Sequence, residues 1–157
     1  KTAHFLDSYR DILQRTGADA RRLELELTEN VLFTTREIGK SRELIGRIHQ
    51  LGMRCSLDDF GAGYSSLGLL KDLPVDALKL DRQFFAGSLD SPRSQAVVRA
   101  ILSLARALDI ESVAEGIEEE GQAAFLWEAG CDLIQGYLYA PPLPTAAFES
   151  LLPPADN

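Results

Sequence analysis

The sequence is poor in cysteine, histidine, tryptophan and methionine, with 2, 2, 1 and 1 among 157 residues. Cys55 and Cys131 lie far apart in apolar, strand-like stretches, and neither belongs to a close-spaced zinc or redox motif. Buried free thiols are the expectation. His4 and His49 fall within helical patterns, away from any acidic cluster, which argues against metal ligation by imidazole. Positive charge is also short, with 16 Lys plus Arg against 24 Asp plus Glu. A duplex-binding surface needs a basic footprint to neutralise phosphates, so that class is disfavoured, whereas an anionic substrate held through metal ions is not. No apolar run approaches the roughly 20 residues that span a bilayer, and KTAHFLDSY has no signal-peptide core. A cytoplasmic location is expected for this segment, with a membrane-anchored parent protein left open. No linker, repeat or low-complexity tract marks a second domain, so residues 1–157 are expected to form one unit.

What the chain does contain is an alternation of two hydrophobic periods. Phe5, Leu6, Tyr9, Ile12 and Leu13 recur at helical spacing over 4–15, with Gly17 as the stop. RLELELTE then alternates leucine and glutamate, the period of a strand. A helix is predicted over 36–51, closed by Gly52, and MRCSL at 53–57 is the second strand. A short helix near 65–71 leads through Pro74 into DALKLD, the third strand. Pro92 opens a long helix to Leu108, ESVAE is strand four, and a helix follows over 119–129. CDLIQ is strand five, and PTAAFESLL closes with a helix behind Pro144. Glu119 and Glu120 read as a solvated helix start, and Phe125 and Trp127 as packing residues.

Strands that alternate with helices call for a parallel sheet with right-handed crossovers. Polar residues stand at the end of every strand: Glu26, the pair Asp58 and Asp59, Lys79 with Asp81, Glu115, and Gln135. A doubly wound sheet feeds its ligand site from about two strand ends at a switch point. Convergence from many ends is instead the mark of a (β/α)8 TIM-type barrel, whose site lies at the C-terminal face. Such a barrel has eight strands in about 250 residues. This α/β chain therefore corresponds to its last five strand-helix units, with the first three strands missing. LDDFGAGYSSL, residues 57–67, is the centre of the pattern. Neighbouring aspartates on a strand point to opposite faces, so Asp58 and Asp59 share a site only if the backbone leaves strand geometry, which Gly61 and Gly63 permit. Paired carboxylates make a hard oxygen site suited to Mg2+ or Mn2+.

ELTE at 26–29, DDFGAGYSSL at 58–67, KLD at 79–81, AEGIE at 114–118 and QGYLYAPPL at 135–143 together resemble the EAL-domain phosphodiesterases of bacterial cyclic di-GMP signalling and biofilm control. The resemblance implies a TIM-type barrel and Mg2+- or Mn2+-dependent hydrolysis of cyclic di-GMP to linear pGpG. It assigns Glu26, Asp58, Asp59 and Glu115 to a two-metal site, with Asp81 beside it. Two ions about 3.5–4 Å apart need bridging carboxylates, and Asp58 or Asp59 is the natural bridge. Lys79 would orient or deprotonate the attacking water, Gln135 would position water or substrate, and Glu29 with Glu118 would hold the loop after Asp59. Gly61, Gly63, Tyr64, Ser65, Gln135, Gly136, Tyr137 and Pro142 would line the substrate.

Departures from the family pattern matter as well. The glutamate of the Glu-Ala-Leu signature and the asparagine ligand of the following strand precede Lys1, and Pro141 stands where a basic residue is often found. The chain alone is therefore expected to be inactive, and the unpaired edge of its first strand is expected to favour a homodimer. The alternative to an enzyme is a cyclic di-GMP sensor without turnover. Intact carboxylates disfavour it. A Mg2+ enzyme of the enolase type also combines strand-end acids with a lysine, but adjacent aspartates before GAGYSS fit it poorly. Glu24 shares a strand face with Glu26 yet reads as structural, with Arg54 as its interior partner below the site.

Overall fold

A computed structural model describes residues 2–33, 38–61, 70–85, 89 and 91–152. The predicted helix near 65–71, together with Gly63, Tyr64 and Ser65, lies essentially outside the described residues. Helix α1 (Thr2–Thr16) ends at Gly17, whose φ of 67° lies in the left-handed region. Strand β1 (Glu24–Thr28) is followed directly by a short helix, α2 (Glu29–Phe33), that the periodicity does not reveal. Then come α3 (Ile38–Gln50), β2 (Arg54–Phe60), β3 (Ala77–Leu80), α4 (Pro92–Ala107), β4 (Glu111–Ala114), α5 (Glu120–Ala129), β5 (Leu133–Ile134) and α6 (Thr145–Glu149).

All five strands are parallel and pair in chain order, β1-β2-β3-β4-β5. An order that never reverses has no switch point, so right-handed crossovers place the helices on one side and the sheet forms an arc of barrel wall. The register separates the two faces. Leu25, Cys55, Leu57, Leu78, Leu80 and Ala114 make the covered face and are buried in one apolar core. Ile45 and Ile48 of α3, Val98, Ile101, Leu102 and Ala105 of α4, and Leu126 of α5 pack into the same core. Burying each large aliphatic chain contributes about 1.5–3 kcal/mol. The concave face carries charge instead, with Glu24, Glu26, Arg54, Asp58, Lys79 and Glu111.

The starts of two strands are fastened by aspartates from the next strand's approach. Asp76 accepts the Cys55 N–H at 2.7 Å and lies 2.9 Å from His49 Nε2. Asp132 accepts the Ser112 N–H and hydroxyl at 2.8 and 2.6 Å. Strand β5 covers only Leu133–Ile134 rather than all of CDLIQ; just before it the Asp132 N–H bonds the Ser112 hydroxyl at 3.1 Å, and just after it the Gln135 N–H bonds the Ala114 carbonyl at 2.8 Å. Two further expectations are corrected. Strand β2 continues through Asp58 and Asp59 to Phe60, and Trp127 is 70% exposed on the outer side of α5 while Phe125 is half-buried beneath the Arg99 guanidinium.

Both thiols are free and buried. Burial, reinforced by the negative charges of Asp76 and Glu24, pushes the Cys55 thiol up to about 12, and burial also raises that of Cys131. Each stays protonated near neutral pH. Ellman's reagent at about pH 8 should leave both unmodified in the folded chain and react with both in denaturant. Rapid reaction of either in the native state would contradict this burial.

Candidate active site

The site is built on a stagger in β2. Leu57 pairs with Leu78 but Phe60 with Leu80, so β2 spends one more residue than β3 over this stretch. The extra residue is a bulge, and Asp59 has a φ of 55°, a left-handed conformation that aspartate tolerates better than most side chains. Strict alternation would turn Asp59 into the apolar face between Leu57 and Leu80. The bulge leaves Asp59 exposed and returns Phe60 to the core at 1% exposure. The departure from strand geometry thus occurs at Asp59 itself, ahead of the glycines. Gly61 follows with a φ of 98°, which side chains rarely adopt, and a Cβ there would also collide with the Phe84 ring that lies on it.

On the concave face, one ammonium collects the acids of three strands. Lys79, buried in the middle of the sheet, contacts Glu26 from β1, lies 2.7 Å from Glu115 at the end of β4 and 3.6 Å from Asp58 of β2. Burial alone would lower the lysine pKa. Hydrogen bonds to Glu115 and Glu26 and the charges of Glu115 and Asp58 outweigh that and hold it above its ordinary value. In this state Lys79 is a cation and a donor. One layer below, Arg54 repeats the arrangement, contacting Glu111 and lying 3.3 Å from Glu24, the interior pairing that the shared strand face predicts.

The remaining candidates are distributed around this centre. Asp81 caps the 3-10 turn Arg82–Phe84 by accepting the Gln83 N–H at 2.8 Å, so one of its oxygens is committed away from the lysine cluster. Glu29 is buried with Oε1 unpartnered among the described residues, while Glu118 is exposed. Gln135 does not reach the lysine cluster. It lines a cleft of about 590 Å³ with Asp81, Arg82, Glu115, Gly136, Tyr137 and Pro142. Gly136 is required there by packing, because a Cβ would clash with the backbone of Ile117. A second cleft of about 490 Å³ lies at the opposite ends of the strands, among Arg54, Asp76, Arg106, Asp109, Glu111 and Asp132. That end of a barrel serves stability rather than chemistry.

As donors, the acids suit a hard divalent cation: all are carboxylates, delivered by separate strands to one end of the sheet. Their arrangement closes on the ammonium, however, and among the described residues no group of three His, Cys, Asp or Glu side chains is placed to hold a metal ion. Sequence reasoning missed Gln122. Its Oε1 accepts from the N–H groups of Glu118 and Glu119, and its Nε2 donates to the Phe85 carbonyl. The spacing Glu119-x-x-Gln122 at a helix start is the signal that could have found it.

The chain is 45% identical over 150 residues to the cyclic di-GMP phosphodiesterase NbdA of Pseudomonas aeruginosa, an alignment that covers 96% of this chain and 19% of NbdA. Among solved structures, the PaMucR phosphodiesterase in complex with c-di-GMP superposes with a TM-score of 0.82 at 38% identity, over 91% of this chain and 57% of that one. BlrP1 of Klebsiella pneumoniae, solved as a manganese and cyclic di-GMP complex, gives a TM-score of 0.76 at 30% identity, over 85% of this chain and 33% of the other. The chain thus spans about a fifth of the curated relative's length and little more than half of the MucR chain. With the EAL domain model matching residues 1–142, the chain belongs to the EAL domain family.

Proposed function

We propose that this chain supplies one wall of a metal-dependent phosphodiesterase site that hydrolyses cyclic di-GMP to linear pGpG. The observation that carries the reading is the gathering of Glu26, Asp58 and Glu115, each from a different strand, around Lys79 at one end of the sheet. Similarity to phosphodiesterases, and to structures solved with cyclic di-GMP and manganese, supports it. Glu26, Asp58, Asp59 and Glu115 would hold Mg2+ or Mn2+, with Asp81 alongside. A divalent cation bound there would supply Lewis-acid polarisation of a phosphoryl oxygen and a more acidic water. Lys79, which the same acids surround, would orient or deprotonate the attacking water. Gln135, Gly136, Tyr137 and Pro142 would form the substrate wall along the cleft, and Gly61, Gly63, Tyr64 and Ser65, the loop that follows Asp59 in the chain, would contact substrate as well. Glu29 and Glu118 would hold that loop, and the buried Oε1 of Glu29, without a partner among the described residues, is available for it.

In this reading residues 1–157 are part of a single EAL domain in the cytoplasm. The remaining metal ligands come from a segment that precedes Lys1, so the chain alone does not turn over. Joined to that segment, it should hydrolyse cyclic di-GMP with Mg2+ or Mn2+. Asp58→Ala should reduce the rate by at least about a hundredfold, since even outer partners of metal ligands cost about 10–100-fold. Tight binding of cyclic di-GMP without turnover under Mg2+, Mn2+ or Ca2+ would make the protein a sensor instead.

Replacing the central cation tests the competition that the site implies. Lys79→Met leaves Glu26, Asp58 and Glu115 without their counter-ion and should cost about 1–3 kcal/mol in denaturant unfolding, discounted for the exposure of Glu26. Added Mn2+ should raise the melting temperature of this variant more than that of the unaltered chain. An equal rise would separate the carboxylates from any metal site.

The edge strand β1 pairs only with β2 among the described residues. We propose that two copies of the 157-residue chain associate through it. Size-exclusion chromatography with light scattering should give a dimer, and a folded monomer at micromolar concentration would exclude the association.

A further inference from the structure

Gln122 occupies the first turn of α5 and, among the described residues, hydrogen-bonds none of the proposed metal ligands. It makes three hydrogen bonds in two directions. Its Oε1 accepts from the N–H groups of Glu118 and Glu119 at 3.1 and 3.2 Å, and its Nε2 donates to the Phe85 carbonyl at 3.2 Å. Only one orientation of the amide satisfies two donors on one side and a carbonyl on the other. One side chain therefore joins the loop after β4, which begins with Glu115, to the turn after β3, which begins with Asp81.

The connection extends further on each side. Phe85 is buried and its N–H closes the turn on Arg82, while the adjacent Phe84 ring packs against Gly61, two residues beyond Asp59. In the other loop, Ile117 is buried and pairs through its N–H with the Gln135 carbonyl. The loop after β4 is thus pinned to β5 at Ile117 and to β3 at its first residue, where the Glu115 N–H bonds the Leu80 carbonyl at 3.1 Å, while further along, at Glu118 and Glu119, the tie to the turn after β3 runs through Gln122.

We propose that Gln122 is a positioning residue: by clipping the β3 and β4 loops together it fixes the separation between the Glu115 carboxylate and the Asp58–Asp59 end of β2. The proposal rests on the functional reading above, in which those acids bind a divalent cation. Spacing matters there because carboxylates must meet one ion within a few tenths of an ångström.

Gln122→Glu separates this role from simple helix capping. A carboxylate still accepts both N–H groups and suits a helix N-terminus, so the cap survives, but it has no donor for Phe85 and faces that carbonyl with like charge. In the chain joined to its preceding segment, Gln122→Glu should unfold at the same denaturant concentration as the unaltered protein. Its Mn2+ affinity by calorimetry should fall about 10–100-fold, as for other outer-shell changes. At saturating Mn2+, kcat should fall while KM for cyclic di-GMP is unchanged. Amide exchange in the same variant should quicken at Arg82–Phe85 and stay slow at Glu118 and Glu119, a readout that needs neither metal nor turnover. Gln122→Ala should lose the cap and the clip together. Unchanged Mn2+ affinity and unchanged exchange in Gln122→Glu would overturn the proposal and leave the functional reading standing. An unaltered protein that neither binds Mn2+ nor hydrolyses cyclic di-GMP would overturn both.

Discussion

The structure depends on one buried ammonium shared by acids that would otherwise repel. Glu26, Asp58 and Glu115 come from three strands and meet on the concave face around Lys79. At an effective dielectric of about 20, two carboxylates about 5 Å apart repel by roughly 3 kcal/mol. Three of them at the strand ends are tolerable only with a cation among them. The lysine supplies it, and its own burial is offset by the same contacts. Under the proposed function, a divalent ion of higher charge would compete with this ammonium for the same acids. The same device appears one layer deeper, where Arg54 lies between Glu24 and Glu111 at the stable end of the arc.

Backbone geometry decides which acids join the cluster. Without the bulge at Asp59, the second aspartate would be driven into the leucine layer, where an unpaired carboxylate is costly to bury. With it, Phe60 takes the core position and both aspartates stay at the open end. The left-handed conformation of Asp59 is local strain of a kind that packing must sustain, and the Phe84 ring against Gly61 is the contact placed to sustain it. Gln122 stands at the far side of that same turn, so the aspartate pair and Glu115 are held by one continuous set of loop contacts rather than by three independent strand ends.

Family similarity and geometry are independent supports here. The similarity covers 96% of the chain at 45% identity but only 19% of the relative, so it speaks for what this piece contributes. The geometry shows carboxylates gathered at the end of a parallel arc, the end at which barrels of this class carry chemistry. The cleft lined by Gln135, Gly136, Tyr137 and Pro142 opens beside Glu115, which brings the proposed substrate wall and the proposed metal ligands to the same rim.

Much of this was legible in the residues alone. Periods of two and 3.6 placed five strands between helices, polar residues at the strand ends marked where acids gather around Lys79, and the interior face of Glu24 and Arg54 foretold their pairing. These properties are local or follow from alternation, and a linear sequence carries them. The sequence did not disclose that Asp59 would be the bulged residue, that Asp81 would spend an oxygen on a turn, that Trp127 would stand in solvent, or that Gln122 would join two loops. Each of these depends on which atoms distant segments bring within bonding distance. Lys79 shows the division most plainly: its place at a strand end was written in the chain, but the balance between its burial and the three acids that raise its pKa exists only in the folded sheet.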